Sequence, residues 1–215
     1  MDETTCPNCG ASVRTPFCGA CGQSPTRQLD LASLFRGSLA RILDLNGGFL
    51  HTFVRLTVNP GQVCRDYVSG RRQPYTHPVS YCFLLVTAYA LTINLLDIEI
   101  SLGGTIEFDE TQKRVYHTLH GILAYLLFVT LIPVAALQRR LFTSSGFSMA
   151  DSYVFALFVI GHSNVINVGF VLAGWLTTQT GLIVFSILQF AYVLWAMTGF
   201  YELGRRPPIL RCLVL

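Results

Sequence analysis

The sequence predicts an all-α membrane protein with a small cysteine-rich N-terminal head. Hydrophobic residues make up 52% of the 215 residues, and the mean hydropathy is +0.49. Charged residues make up 13%, about half of the ~25% usual in soluble domains. Four of the seven cysteines lie within residues 1–21, and four long apolar runs follow position 78. These features exclude a disordered chain and argue against an ordinary soluble enzyme.

The four apolar runs carry no charge and are long enough to cross a bilayer. An 18-residue helix rises ~27 Å, close to the ~30 Å hydrocarbon core. Helices of a soluble bundle would need a polar face at helical spacing, and these runs have none. Pro133 lies inside the second run, where neighbouring membrane helices can satisfy the carbonyl that it leaves free. We therefore expect a transmembrane bundle over 79–201 with about four spans, at 79–96, 119–137, 152–175 and 180–201.

Positively charged residues near helix ends orient this bundle, because such residues are retained on the cytoplasmic side. With both termini inside, thirteen of the fifteen Lys and Arg residues are cytoplasmic, and Lys113 and Arg114 are outside. The first residues have neither a basic nor an apolar signal region, so we expect no cleavable signal peptide. The prediction is a multi-pass protein of the inner (plasma) membrane, with a cytoplasmic N-terminus and a cytosolic tail over 202–215.

The head contains two CxxC-Gly motifs, whose cysteine pairs are separated by eight residues. Each motif forms a turn that directs both sulfurs to one point, so four thiolates can close a tetrahedral metal site. We predict a structural zinc ribbon over 1–24. Its ligands are Cys6, Cys9, Cys18 and Cys21.

Two other interpretations use the same cysteines. A rubredoxin-like iron site has the same four ligands. Redox chemistry through Cys6 and Cys9 would need a βαβ context that a head of this size lacks, and disulfides are disfavoured in the reducing cytosol. The head buries too little apolar surface to fold alone, so metal binding would supply most of its folding free energy. Because Arg14 and Arg27 are its only basic residues, we expect a protein partner at the ribbon and no nucleic acid.

Residues 25–78 form a juxtamembrane segment of amphipathic helices that are too short and too polar to span. Asn59-Pro60-Gly61 ends one helix, and the next runs from Gln62 to Ser69 and stops at Gly70. In the headgroup layer, four arginines would contact anionic lipid at ~1 kcal/mol each. They are Arg55, Arg65, Arg71 and Arg72. The alternative is a basic flank that only enforces topology. Tyr75 and Tyr81 are placed like interfacial anchors.

Strongly polar residues within spans are candidates for function. His162, Asn164 and Asn167 lie close together on the third span. They serve either interhelical hydrogen bonding or a path for substrate or protons. His117 and His120 at the start of the second span could bind a metal, although solvated interface histidines are commoner. The motifs of metalloproteases, serine hydrolases and nucleotide-binding enzymes are absent, so we predict no catalytic residues.

A family resemblance rests on a set of motifs spread over the first eighty residues. They are CPNCG, FCGACGQ, then Phe53, Leu56 and Pro60, then Tyr67-Val68-Ser69-Gly70-Arg71-Arg72 with Tyr75 and Pro78. The chain thereby resembles an uncharacterised family of bacterial inner-membrane proteins, a domain of unknown function with an N-terminal zinc ribbon and a YxxGxR motif. The resemblance implies a layout similar to small multi-span YIP-type membrane proteins and no biochemical activity. Members carry a further span near the C-terminus, so residues 202–215 are either a tail without it or its truncated start.

Three functions are compatible with this organisation. The first is an integral membrane scaffold or adaptor whose cytosolic ribbon recruits a protein partner. The second is a small transporter or channel component, as a monomer or a homo-oligomer, that uses the polar residues of the third span. The third is an intramembrane enzyme, which only the histidines support. We expect the first, because it accounts for the closed metal site and for the missing catalytic motifs.

Overall fold

A computed structural model describes residues 4–25, 29–35, 48–96, 109–175 and 178–202. Two short antiparallel strands form a hairpin in the head, with Thr4 opposite Val13. They are β1 (Thr4–Thr5) and β2 (Ser12–Val13). The described helices are α1 (Leu31–Phe35), α2 (Gly48–Val58), α3 (Pro60–Ser69), α4 (Pro78–Leu95), α5 (Glu110–Leu141), α6 (Met149–Leu172) and α7 (Gln179–Phe200). A 3₁₀ turn at Thr143–Ser145 lies between α5 and α6.

The predicted fold class is confirmed, because the described residues form a mainly helical protein with apolar helices and a cysteine head. Within the described ranges, three helices are long and apolar enough to cross a membrane, namely α4, α6 and α7. The predicted span 119–137 lies within α5, which continues through Pro133. Its 32 residues make a helix of about 48 Å. Because several α5 side chains lie outside the described set, this fourth span stays a prediction, as does the cytosolic placing of the tail, 203–215 of which also lies outside that set.

Local capping sets where the helices begin and end. α3 begins at Pro60, two residues before the predicted start, because the Asn59 side chain accepts a hydrogen bond from the Gln62 amide and Pro60 suits the first helical turn. It ends as predicted at Gly70, whose φ of 108° favours glycine. Asp109 and Ser148 are the N-cap residues of α5 and α6. Each forms a capping box, in which side-chain and backbone hydrogen bonds are reciprocal.

The helix α6 is at the centre of the bundle, and α2, α3, α4, α5 and α7 all contact it. Its first half is buried on every side, with Tyr153, Phe155 and Phe158 among the fully buried side chains. Aromatic pairs join it to its neighbours, since Phe158 lies 5.3 Å from the ring of Tyr67 on α3 and Phe155 lies 4.8 Å from that of Phe200 on α7. A helix segment covered on all sides needs no polar face, which explains the apolar run Tyr153 to Ile160 in this half of α6.

The helices α2 and α3 pack into the bundle as well as facing outward. On α2, Thr52 and Leu56 are buried against protein. Leu50, Val54 and Val58 point away from it, with 69%, 49% and 63% of their surfaces exposed. Their spacing of four residues places these three side chains in one apolar stripe along the helix. The stripe suits the interfacial position expected for this helix.

The helices α3 and α7 meet backbone to backbone at two glycines. A Cβ atom added to Gly61 would lie 2.5 Å from the Gly199 Cα and 2.6 Å from the Phe200 nitrogen. Backbone atoms cannot rotate away, so any side chain here would force the two helices apart. A second such contact joins α6 to α4, where a Cβ on Gly161 would lie 2.9 Å from the Cys82 Cα.

Substituting Gly61→Ala should therefore destabilise the protein by about 1–3 kcal/mol through overpacking. The measurement is the thermal unfolding midpoint of the purified protein in detergent. Gly169→Ala is the matched control, because a Cβ at Gly169 would have no neighbour within 4 Å. An unchanged unfolding midpoint for Gly61→Ala would contradict the close backbone contact between α3 and α7.

Candidate functional site

The two CxxC-Gly motifs form two turns with the same backbone hydrogen bonds. In the first, the Gly10 amide donates to the Cys6 carbonyl at 2.9 Å, and in the second the Gly22 amide donates to the Cys18 carbonyl at 2.8 Å. Both glycines have positive φ, +76° and +73°, which explains why glycine follows each cysteine pair. The first turn lies between the paired strands β1 and β2.

The four cysteine sulfurs form a compact cluster, as the sequence predicted. All four Sγ atoms lie within 4.8 Å of one another. The Sγ atoms of Cys6 and Cys21 are 3.6 Å apart, and those of Cys9 and Cys18 are 3.5 Å apart. A tetrahedral zinc with ~2.3 Å bonds to sulfur has sulfurs about 3.8 Å apart. The four thiolates are therefore placed to hold one metal ion.

The electrostatics of the cluster also favour a cation. A hydrogen bond from the Cys21 amide is the main cause that lowers the pKa of Cys18 to about 7. At Cys9 the Ala11 amide lowers the pKa, but the neighbouring thiols and partial desolvation outweigh it and raise the pKa to about 12. The amides thus stabilise some of the thiolates. The four sulfurs lie too close together for all of them to ionise at once. A divalent ion among the sulfurs would remove this conflict.

Gln23, the residue after the second turn, connects the head to the membrane body. Its side-chain oxygen accepts hydrogen bonds from the amides of Arg72 and Gln73, both at 3.1 Å. Its side-chain nitrogen donates to the Gly70 carbonyl. Its own carbonyl accepts from the Cys18 amide at 2.9 Å, so the metal-binding turn positions it. These contacts join the FCGACGQ and YxxGxR motifs through residues that lie 47 to 50 positions apart in the chain.

The loop between α3 and α4, residues 70–77 and hereafter the junction loop, is held from the other helices as well. Tyr75 donates from its hydroxyl to the buried carboxylate of Asp66 on α3 at 2.9 Å. Burial, followed by this carboxylate, raises the pKa of Tyr75 to about 12, so it stays a donor. The Thr76 amide donates to Thr52 Oγ1 of α2 at 2.9 Å. The loop is therefore bonded to the head, α2 and α3 together.

Arg65 and Arg72, two of the four arginines predicted to contact lipid, are half-buried against protein partners. Arg65 forms an ion pair with Glu202 at the end of α7. Arg72 donates from Nε to the Tyr67 carbonyl at 3.2 Å, and its guanidinium lies 5.8 Å from the Tyr67 ring centroid. Burial lowers the pKa of Arg72. Both side chains are half-buried, which leaves less of each for lipid headgroups.

The other two, Arg55 and Arg71, are exposed. Arg71 lies 3.7 Å from the Asp66 carboxylate, a loose ion pair in which its side chain remains 56% exposed. Arg55 lies on α2 one residue after Val54 of the outward apolar stripe. Lipid contact by these arginines stays a prediction.

The polar residues of the third predicted span form hydrogen bonds with neighbouring helices and along their own helix. His162 is 4% exposed, and both ring nitrogens have partners. Nδ1 is 2.6 Å from the Tyr81 hydroxyl of α4, and Nε2 is 3.1 Å from the Thr57 hydroxyl of α2. The rings of Phe53 and Tyr192 lie 5.1 Å and 5.7 Å from it. His162 therefore links α2, α4 and α6 through a buried polar contact.

Asn164 and Asn167 are engaged along their own helix. Asn164 donates to the Ile160 carbonyl at 3.0 Å, and Asn167 donates to the side-chain oxygen of Asn164 at 3.0 Å. Their partners are local, whereas those of His162 lie on other helices. The side chains of His117 and His120 lie outside the described set, so the suggestion of a metal there stays a prediction.

Sequence reasoning missed three residues that carry the main polar contacts, namely Gln23, Thr57 and Tyr81. Gln23 could have been found as a polar residue directly after a metal-binding turn. Tyr81, expected at the membrane interface, is fully buried against His162, and Tyr75 is bonded to Asp66. Helical spacing alone cannot distinguish a tyrosine at the interface from one buried between helices.

The junction loop and the helices on either side of it lie within a segment that matches a known protein family. Residues 46–90 match the family "Protein of unknown function (DUF3667)". The resemblance to an uncharacterised family with a four-cysteine head is thereby confirmed. The DUF3667 segment covers about a fifth of the chain and contains α2, α3, the junction loop and most of α4. No curated protein and no solved structure matches the chain.

Substituting Cys9→Ser should abolish stoichiometric metal binding, because three thiolates cannot close the tetrahedral site. Metal content per purified protein, measured by elemental mass spectrometry, checks this. Acidification of the unsubstituted protein should also release the metal, since protons compete for the thiolates. Cys64→Ala is the control, because Cys64 is buried in α3 away from the cluster. Metal retained by Cys9→Ser would contradict the four-cysteine site.

Substituting Tyr81→Phe should destabilise the protein by about 1–3 kcal/mol, because it leaves a buried imidazole nitrogen without its partner. Resistance to unfolding in detergent measures the effect. Tyr125→Phe is the matched control, since that exposed hydroxyl makes one 3.3 Å contact with Thr87. Equal stabilities of the two variants would contradict the structural role of His162.

Proposed function

We propose that this protein is an integral membrane scaffold or adaptor that uses a zinc-bearing ribbon to recruit a protein partner. In this proposal the ribbon lies in the cytosol, and the apolar helices lie in the inner (plasma) membrane with the N-terminus inside. The observation that carries the proposal is the closed four-sulfur cluster beside an exposed apolar side chain. A site closed by four cysteines leaves no position for a substrate, so its contribution is structural.

Zinc is the metal that we propose, with iron as the alternative. The donor set is four cysteines without histidine or carboxylate, and the spacing of the sulfurs suits a tetrahedral ion. Iron in a rubredoxin-like site would use the same sulfurs. In the cytosol, bound zinc would hold the thiolates together without redox chemistry.

The exposed face of the ribbon carries the proposed partner site. Phe17 has 63% of its surface exposed and lies directly before the second cysteine pair. Large exposed apolar side chains on a small rigid module commonly mark protein contacts. Arg14 is the one basic residue in the segment 4–25, which suits a protein partner better than nucleic acid.

Contact with lipid belongs to the same proposal. The outward stripe of Leu50, Val54 and Val58 would insert into the acyl boundary, with the exposed Arg55 at the level of the headgroups. The exposed Arg71 would face the same layer. This arrangement agrees with the excess of Lys and Arg on the side that we assign to the cytoplasm.

A transporter or channel component is less well supported. Such a protein needs polar groups that face a substrate path, and both nitrogens of the His162 ring are already bonded to Tyr81 and Thr57. Neither a transporter nor an intramembrane enzyme would account for the cysteine cluster. We therefore consider a transporter and an intramembrane enzyme less well supported than a scaffold.

Photo-crosslinking from position 17 tests the recruitment of a partner. A photoreactive residue in place of Phe17, in the full-length protein within its native membrane, should give a crosslinked protein band of defined mass. The same substitution in a Cys6→Ser, Cys9→Ser background should lose this band, because the ribbon requires its metal to fold.

The photoreactive residue at Gln179 is the matched control, because Gln179 begins α7 and its side chain is also exposed. The proposal requires that this position does not give the same band. A band at position 17 that persists without the cysteines, or no band at all, would contradict recruitment by the ribbon.

A further inference from the structure

The contact made by Gln23 has an unusual position, between a metal-dependent turn and the start of the first apolar helix. On the head side, its carbonyl accepts from the Cys18 amide, which belongs to a metal-binding residue. On the body side, its amide group bonds Gly70, Arg72 and Gln73 of the junction loop. One side chain thus supplies both an acceptor and a donor to three backbone groups of the loop.

Among the described residues, open space lies between the head and the body around these hydrogen bonds. A cavity of about 590 Å³ lies beside the contact, and Phe17, Gln23, Leu34 and Tyr67 are among the residues that line it. Opening the contact would therefore break few close apolar interactions. A polar contact of this kind can open without unfolding the helices.

The junction loop keeps other partners when Gln23 is withdrawn. The Thr76 amide remains bonded to Thr52, and the Arg71 amide remains bonded to the Asp66 carbonyl at 2.9 Å. Only part of the loop depends on the head. Removal of the head contact is thus expected to release the amides of Arg72 and Gln73 while the rest of the loop stays in place.

We propose that the ribbon is a metal-dependent latch on the junction loop. With metal bound, the second turn places Gln23 against the junction loop. Its hydrogen bonds then hold the backbone that leads into α4. Without metal, the turn loses its structure, Gln23 leaves, and the amides of Arg72 and Gln73 become accessible. The metal state of the head then decides whether the loop that precedes the first apolar helix is bonded to the head. This proposal is independent of partner recruitment, since every contact in it lies within one chain.

Hydrogen exchange of the full-length protein in detergent, resolved to single amides by fragmentation, tests the latch. Removing the metal with a chelator should speed exchange of the Arg72 and Gln73 amides roughly tenfold or more, since each loses its acceptor. Gln23→Ala should give the same acceleration while the metal content stays stoichiometric. The Thr76 amide serves as the internal control and should change much less in Gln23→Ala.

Gln179→Ala is the control variant, because this exposed glutamine at the start of α7 is not bonded to the junction loop. It should leave all of these amides unchanged. Unchanged exchange at Arg72 and Gln73 after metal removal, or in Gln23→Ala, would overturn the latch. Equal acceleration at Thr76 in Gln23→Ala would also overturn it, because the loop would then open as a whole. None of these outcomes depends on the crosslinking result.

Discussion

The structure depends on how the backbone of the junction loop is satisfied between α3 and α4. This loop turns the chain into its first apolar helix, and those of its backbone polar groups that are buried need hydrogen-bond partners. The Gln23 side chain from the head and the Thr52 side chain from α2 accept hydrogen bonds from its amides, and the Asp66 carboxylate on α3 accepts from the Tyr75 hydroxyl. The cysteine head is thereby a structural part of the membrane body and not an independent appendage.

The burial of α6 is the second feature that organises the molecule. Its first half is surrounded by five helices, including the short α2 and α3. The exposed apolar side chains of α7, such as Ile183, Ile187 and Phe190, are instead available to lipid. Apolar residues are thus covered by protein on α6 and left exposed on α7, a difference that composition alone cannot distinguish.

The buried histidine shows how a polar residue is tolerated in such a bundle. His162 forms hydrogen bonds with hydroxyls on two neighbouring helices, so its burial leaves neither nitrogen without a partner. Its contacts couple α2, outside the apolar helices, to α4 and α6 within them. The same helix α2 is bonded to the junction loop through Thr52. The buried histidine and the junction loop are therefore both bonded to α2, and Gln23 bonds the loop to the metal-binding turn.

The sequence by itself determined the local features of this protein. Cysteine spacing predicted the four-sulfur cluster, because each CxxC-Gly turn is set by a few neighbouring residues. Length and apolar composition predicted the helices α4, α6 and α7, and Gly70 marked the end of α3. Only the tertiary structure decided which distant groups meet. Gln23 with Arg72, Tyr81 with His162 and Gly61 with Gly199 are far apart in the chain, and no local periodicity carries information on which helix faces which.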